Sequence, residues 1–156
     1  VEWLVLVLVV GLIGTLASVA VFSARSKQRD AVRLSHVRQM QAALEEYFLE
    51  TNAYPIGEGI ALGLPASSCL DTTGFRAACD LNQTNVLMRQ VFATSSTGLH
   101  GASSCGEQKN AYCYSQLQEG QAYGVQFELE HAIAQTGVQK GANCATPDGF
   151  VAGACP

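Results

Sequence analysis

The residues best suited to chemistry in this 156-residue sequence are its six cysteines. No C-x-x-C pair is present, whereas zinc sites usually bring their ligands in close pairs, so the spacing favours disulfides. Six cysteines allow many connectivities, but pairing in sequence order closes only short surface loops and needs no long-range threading. Disulfides indicate a compartment outside the cytoplasm. The predicted pairs are Cys69 with Cys79, Cys105 with Cys113, and Cys144 with Cys155.

The remaining chemical groups form no recognisable catalytic or metal-binding motif. His36, His100 and His131 are far apart in sequence and stand among polar residues, so each is predicted to be solvated. The glycine-rich stretch at residues 57–63 has the wrong spacing for a dinucleotide motif and follows a helix. Asp148 alone does not make a calcium site. The sequence therefore predicts neither an enzyme nor a bound cofactor or metal.

Glu2 stands at the edge of the longest uncharged stretch in the chain. The 20 residues from Trp3 to Phe22 carry no charge, and as a helix they would rise about 30 Å, the thickness of a bilayer core. A secretory signal peptide would have a shorter apolar region behind a basic flank. We expect this segment to be retained and to lie in lipid or in a protein core. The nearest cation along the chain, Arg25, would be roughly 35 Å from Glu2 along the helix.

The charges are unevenly distributed along the chain. The net charge is -4, from 9 Lys and Arg against 13 Asp and Glu, which argues against a dedicated nucleic-acid binder. Residues 25–38, here called the basic collar, are predicted to bind anionic lipid headgroups or to pair with acidic residues of a neighbouring helix. The collar contains Arg25, Lys27, Arg29, Arg33 and Arg38 with Asp30, and the acidic candidates are Glu45, Glu46 and Glu50.

The collar also bears on the orientation of the chain. Cations that follow an apolar span would place the later residues in the cytoplasm by the positive-inside rule, which contradicts the disulfides. A basic leader before Val1 would resolve the conflict, and we expect one to have set the orientation. DNA binding by the collar is a weaker alternative because the rest of the chain is acidic.

The helix is predicted to continue beyond the collar as an amphipathic segment. Apolar positions recur at three- and four-residue steps, which is the helical period. Pro55 disfavours helical geometry at Tyr54, so the helix should end near Asn52 after about fifty residues, roughly 75 Å. The predicted stripe contains Leu34, Val37, Met40, Gln41, Leu44, Tyr47 and Phe48.

The residues after the helix predict a small β head. Ala122 to Glu130 alternates apolar and polar residues, as a strand with one buried and one wet face does. Residues 111–117 are its predicted hairpin partner, joined by a turn at 118–121. We also expect a short helix from Leu81 to Phe92 and a final loop over residues 143–156. The fold class is α+β, with residues 1–24 as the apolar half of the helix, 25–53 as its amphipathic half, and 54–156 as the head.

Taken together, these features resemble the type IV pilins and the pseudopilins of type II secretion. The match is most specific over the first 55 residues and concerns mainly layout in the head. The matching segments are Val1-Glu2-Trp3-Leu4-Val5-Leu6-Val7 with Gly11 downstream, Arg29-Asp30-Ala31-Val32-Arg33-Leu34, Leu44-Glu45-Glu46-Tyr47-Phe48, Asn52-Ala53-Tyr54-Pro55 and the strand from Tyr123 to Glu130.

The resemblance implies a bacterial filament subunit that polymerises with copies of itself. Such a subunit waits in the inner membrane after a prepilin peptidase removes a basic leader, and an assembly machine then packs it into an extracellular pilus. Family members usually begin with an N-methylated aromatic residue, so about three mature residues are expected before Val1. Glu2 takes the place of the assembly glutamate. Many family helices carry a proline in the apolar half, whereas this chain has none before Pro55. Gly11 and Gly14 are then the weak points where the helix is expected to unwind on assembly.

Two alternatives remain open at the level of the sequence. The chain is either a major pilin or a pseudopilin of a secretion system, since both share everything before Pro55. A single-pass anchor carrying a small periplasmic domain would also contain a bilayer-length helix. Glu2 favours polymerisation, because a carboxylate beside the apolar run would be an odd feature in a mere anchor. Adhesion, twitching motility and DNA uptake are not distinguished by the sequence.

Overall fold

One helix dominates the computed structural model, which describes residues 2–80, 82 and 85–156. Helix α1 runs from Glu2 to Thr51 without interruption, over 50 residues. By length and composition, its first half is long and apolar enough to cross a membrane. The predicted long helix is confirmed. Predictions that concern Val1 or Leu81 lie outside the described residues.

Helix α1 ends where the sequence predicts, and its cap explains why. Asn52 has a left-handed backbone conformation with φ of 60°, which asparagine tolerates better than most residues. Its amide donates to the Phe48 carbonyl at 2.8 Å. The Thr51 hydroxyl donates to the carbonyls of Tyr47 and Ala53, each at 2.8 Å. The last helical carbonyls are therefore partly satisfied before Pro55 continues the chain in another direction.

The described part of the head forms ten short strands in three antiparallel sheets. The largest sheet has the order β1-β7-β8-β9-β10, the second β3-β2-β4, and the third pairs β5 with β6. The strands are β1 (Ile60–Ala61), β2 (Cys69–Asp71), β3 (Gly74–Arg76), β4 (Val86–Met88), β5 (Ser104–Cys105), β6 (Gln108–Lys109), β7 (Cys113–Leu117), β8 (Ala122–Leu129), β9 (Gly141–Thr146) and β10 (Gly149–Ala152).

The predicted central hairpin is confirmed. Strands β7 and β8 pair antiparallel from Cys113 opposite Gln126 to Leu117 opposite Ala122. A short 3₁₀ turn, Gln118–Gly120, joins them. With α1 packed on this antiparallel sheet, the α+β class is also confirmed.

Two predictions about the outer parts of the head are wrong. Residues 86–88 form strand β4 on β2, where a helix was predicted. A short apolar run has no periodicity long enough to separate a strand from a buried helical turn. The final segment is also not a loop, since β9 and β10 form a hairpin that completes the large sheet. Its strands are rich in Ala, Gly and Asn, which carry little strand signal.

The core lies between α1 and the large sheet. Val37 and Leu44 on the helix are fully buried, as are Tyr114 and Phe127 on the strands. The predicted helical stripe is confirmed, with Gln41 and Phe48 only partly buried at its edges.

The polar face of β8 is largely covered and not exposed to solvent, contrary to the prediction. Gly124 is covered by the C-terminal disulfide, and a Cβ there would lie 3.0 Å from the Cys155 sulfur. Glu128 is buried under residues 100–103, which precede β5, and only 3% of it is exposed. Alternation along one strand carries no information about segments that fold over its outer face.

The structure pairs all six cysteines in sequence order. The first bond closes the β2-β3 hairpin, the second ties β5 to β7, and the third holds the C-terminal segment against β9. The bonds join Cys69 to Cys79, Cys105 to Cys113, and Cys144 to Cys155.

Candidate assembly surface and helix to head junction

The apolar half of α1 makes no contact that buries it. The first buried position on the helix is Ser26, and every described residue before it is exposed. Trp3 is 82% exposed and Phe22 is 71% exposed. A helix that is apolar on all sides is suited to lipid or to a protein core and not to water. This segment, residues 2–25, is called the apolar rod below.

The three candidate assembly residues lie on the apolar rod and are not brought together. Glu2 begins the helix, and within the described residues its carboxylate makes no hydrogen bond or ion pair. Gly11 and Gly14 lie in regular helix, and an added Cβ would meet nothing within 4 Å at either one. The Ser18 hydroxyl donates to the Gly14 carbonyl at 2.8 Å. In the single chain the helix is therefore intact at both glycines.

A cluster of charged residues joins α1 to the head where the apolar rod ends. Arg33 is buried, with 2% of its side chain exposed, and its Nη1 donates to Asp30 at 2.9 Å and to Glu130 at 2.8 Å. Its Nη2 donates to the carbonyls of Ser95 and Thr97. This cluster, here called the junction, fixes one turn of the helix against the loop and the end of β8.

Arg29 completes the pairing of Glu130. Its Nε and Nη2 donate to the two carboxylate oxygens, both at 2.7 Å, in a bidentate arrangement. Charge-assisted pairs of this geometry are among the strongest hydrogen bonds in proteins. The Arg29 guanidinium, followed by that of Arg33, holds the pKa of Glu130 at about 2, against the opposing effect of burial.

Asp30 connects the helix directly to the backbone of the head. Its carboxylate accepts the amides of Glu130 and His131, each at 2.9 Å, and lies 3.1 Å from the His131 Nδ1. These amides follow the last residue of β8, so Asp30 satisfies backbone groups beyond the end of that strand. The junction thus contains two carboxylates, Asp30 on the helix and Glu130 on the head, and two guanidinium groups, both on the helix.

The junction shows that two of the five cations of the basic collar are paired within their own chain. Arg29 and Arg33 are held by carboxylates of their own chain, and Asp30 is a structural contact. Arg38 lies over the Phe150 ring, 5.8 Å from its centroid. Sequence analysis missed Glu130 as a partner because it is 97 residues from Arg33.

A second buried carboxylate organises the loop beside the junction. Glu128 accepts the amides of His100 and Ala102, both at 2.7 Å, and that of Ser103 at 3.2 Å. Bonds from three backbone amides compensate for burial of the charge. Gly98, nearby with φ of 77°, contacts the Glu130 carboxylate, so a side chain there would strain the backbone and displace that carboxylate.

Two of the three histidines are not simply solvated, contrary to the prediction. His36 stacks on Phe92 with ring centroids 4.1 Å apart, and burial lowers the pKa of His36. His131 contacts Asp30 although its side chain is 44% exposed. Within the described ranges, no group of three or more His, Cys, Asp or Glu side chains could hold a metal ion.

The fold and these contacts define a class of protein: a disulfide-tied α+β head fixed by a junction to a long helix whose first half is exposed and apolar. Comparison with known proteins adds no family to this description. No family model, no curated protein and no solved structure matches the chain.

Proposed function

We propose that this chain is a filament subunit of the type IV pilin kind, which polymerises through the apolar rod into an extracellular filament. One observation carries the proposal. The same unbroken helix packs on the head within residues 26–51, whereas every residue from 2 to 25 is exposed.

The physical argument concerns where such a rod can be stable. An apolar helix of this length that packs on nothing else is stable in a bilayer, because its backbone groups form hydrogen bonds within the helix. It is also stable among other apolar helices. Copies of the chain supply such helices. A repeated contact between copies that does not close into a ring generates a helical filament. The apolar rod of each subunit then lies in the membrane before assembly and in the filament core after it.

Glu2 favours polymerisation over simple anchoring. A carboxylate entering a dry core needs a cationic or hydrogen-bonding partner, and its own chain brings none to it within the described residues. The N-terminal amine of an adjacent copy is a group of the right charge and position. Desolvation offsets most of the attraction in such a pair, so its main effect is on the register between copies.

The head is suited to exposure outside the cell. Three disulfides hold its hairpins and its C-terminal segment, and they form in oxidising compartments. The assembly machinery and a prepilin peptidase are the partners that this function requires. Use in adhesion, twitching motility or DNA uptake is compatible with this assembly. DNA binding is the weakest of these, because two collar arginines are already paired within the chain.

A single-pass anchored periplasmic domain is the second candidate, and the bilayer-length rod favours it. The secretion pseudopilin shares the same rod and differs in the length and location of the filament.

Deletion of residues 1–24 separates polymerisation from head folding, because it leaves the junction and the core stripe intact. We expect the shortened chain to be a soluble monomer in sedimentation, and the full chain to appear in the filament fraction sheared from cells. Filaments formed by the shortened chain, or a full chain confined to membranes, would contradict the proposal.

A further inference from the structure

We propose that an open groove beside the junction binds the phosphodiester headgroup of an anionic phospholipid. The inference rests on the proposed function, in that the apolar rod must lie in a bilayer before assembly. The groove has a volume of about 360 Å³ and lies between α1 and residues 93–95. Its helical wall includes Arg25, Arg29, Val32, Arg33 and His36.

The charge in the groove matches one monoanion. Arg29 and Arg33 are balanced by Asp30 and Glu130, so together they contribute no excess charge. Arg25 is exposed and, within the described residues, makes no hydrogen bond or ion pair. The groove therefore carries about one uncompensated positive charge, the complement of a phosphodiester.

Hydrogen-bond donors are also left over in the groove. Arg29 uses Nε and Nη2 on Glu130, which leaves its Nη1 without an acceptor among the described residues. The Arg33 Nε also has no partner there, but it is buried and does not face the open part of the groove. The Arg29 side chain is 32% exposed, so Arg29 and Arg25 supply the donors that a ligand can reach. A phosphate oxygen accepts from guanidinium groups with favourable geometry.

The position of the groove favours a lipid over another acidic ligand. Arg25 is three residues beyond Phe22, so the two lie on the same face of the helix, about 4.5 Å apart along its axis. If residues 3–22 span the hydrocarbon core, Arg25 lies at the level of the headgroups. Val32 gives the groove an apolar wall, and it is 46% exposed. A headgroup in the groove would thus place its acyl chain along the apolar rod.

The test compares two lipids on the full chain in neutral detergent. Phosphatidylglycerol and phosphatidylcholine both contain a phosphodiester, but only the first has a net negative charge. Native mass spectrometry with equal amounts of both should show preferential retention of phosphatidylglycerol. Arg25→Gln should reduce that preference by about tenfold, because the groove loses the uncompensated positive charge that attracts only the lipid with a net negative charge. Lys27→Gln is the matched control, because Lys27 is an exposed collar cation that does not line the groove.

Each of the following outcomes would contradict the inference and would indicate a different explanation. Equal losses in the Arg25 and Lys27 variants would show diffuse attraction to the collar. Inorganic phosphate that binds as tightly as phosphatidylglycerol would show a site for a free anion. Loss of filaments in Arg25→Gln with unchanged lipid preference would assign the groove to a carboxylate of a neighbouring copy. A chain that enters membranes without lipid preference refutes only the groove, whereas one that never enters membranes contradicts the proposed function itself.

Discussion

Arg33 on helix α1 and Glu130, just beyond the end of strand β8, form a buried ion pair with an N to O distance of 2.8 Å. The pair lies about two turns beyond Ser26, where the helix first becomes buried. It therefore fixes the head on the helix close to the base of the apolar rod. If the rods pack in a filament, this contact sets how each head is presented at the surface.

Glu130→Gln should destabilise the head by about 3 kcal/mol, because it leaves Arg29 and Arg33 facing a neutral side chain in a largely buried site. Chemical denaturation of the chain lacking residues 1–24 would measure the change. Glu107→Gln is the control, since Glu107 is exposed, and it should change stability by less than about 0.5 kcal/mol. Equal stability of the two variants would mean that the Glu130 charge does not stabilise the head.

The contribution of Glu130 to stability is expected to depend on pH in the acidic range. The pKa of Glu130 falls from 4.5 to about 2 because of Arg29 first and Arg33 second. A carboxylate with a lowered folded pKa stabilises the fold fully above its unfolded pKa, and that contribution is lost as the pH falls through the folded value. The stability difference between the parent chain and Glu130→Gln should thus shrink from pH 5 toward pH 2. A difference independent of pH over this window would exclude the carboxylate as its source.

The helix and the central hairpin were predictable because their signals are local and periodic. Leu34 through Phe48 repeat at the helical period, and residues 122–129 alternate as a strand does. The junction was not predictable, because Asp30 and Arg33 look like ordinary surface charges until β8 brings Glu130 to them. The β9-β10 hairpin was missed for another reason, since its small residues gain their order from pairing with β8 and from the Cys144 disulfide.

Gly11 and Gly14 are predicted to let the rod unwind locally when the subunit leaves the membrane. Replacing both with alanine fits the single chain without a clash and favours helix by about 1 kcal/mol per residue. Gly11→Ala with Gly14→Ala should therefore leave membrane insertion unchanged and lower the yield of sheared filaments. Val19→Ala, a change elsewhere on the exposed rod, is the control. Normal filament yield from the double variant would show that unwinding at these glycines is not required.

Glu2→Val is expected to insert in the membrane at least as well as the parent chain, because it removes a charge beside the apolar run. It should nevertheless enter filaments inefficiently, with clearly less protein in the sheared fraction, since the register contact between copies is lost. Glu2→Gln tests whether the charge itself is needed. Glu107→Gln, on the exposed head surface, should leave the partition between membrane and filament unchanged. Normal filament yield from Glu2→Val would show that Glu2 is not required for assembly.

A density map of the sheared filament, resolved to side chains, tests the central claim most directly. The proposal predicts that residues 3–22 of each copy are buried against the same segment of other copies, with the disulfide-tied heads outside. It also predicts that the contact between Arg33 and Glu130 is retained within each subunit. A filament in which the apolar rods lie apart, or one built from head contacts alone, would contradict the account.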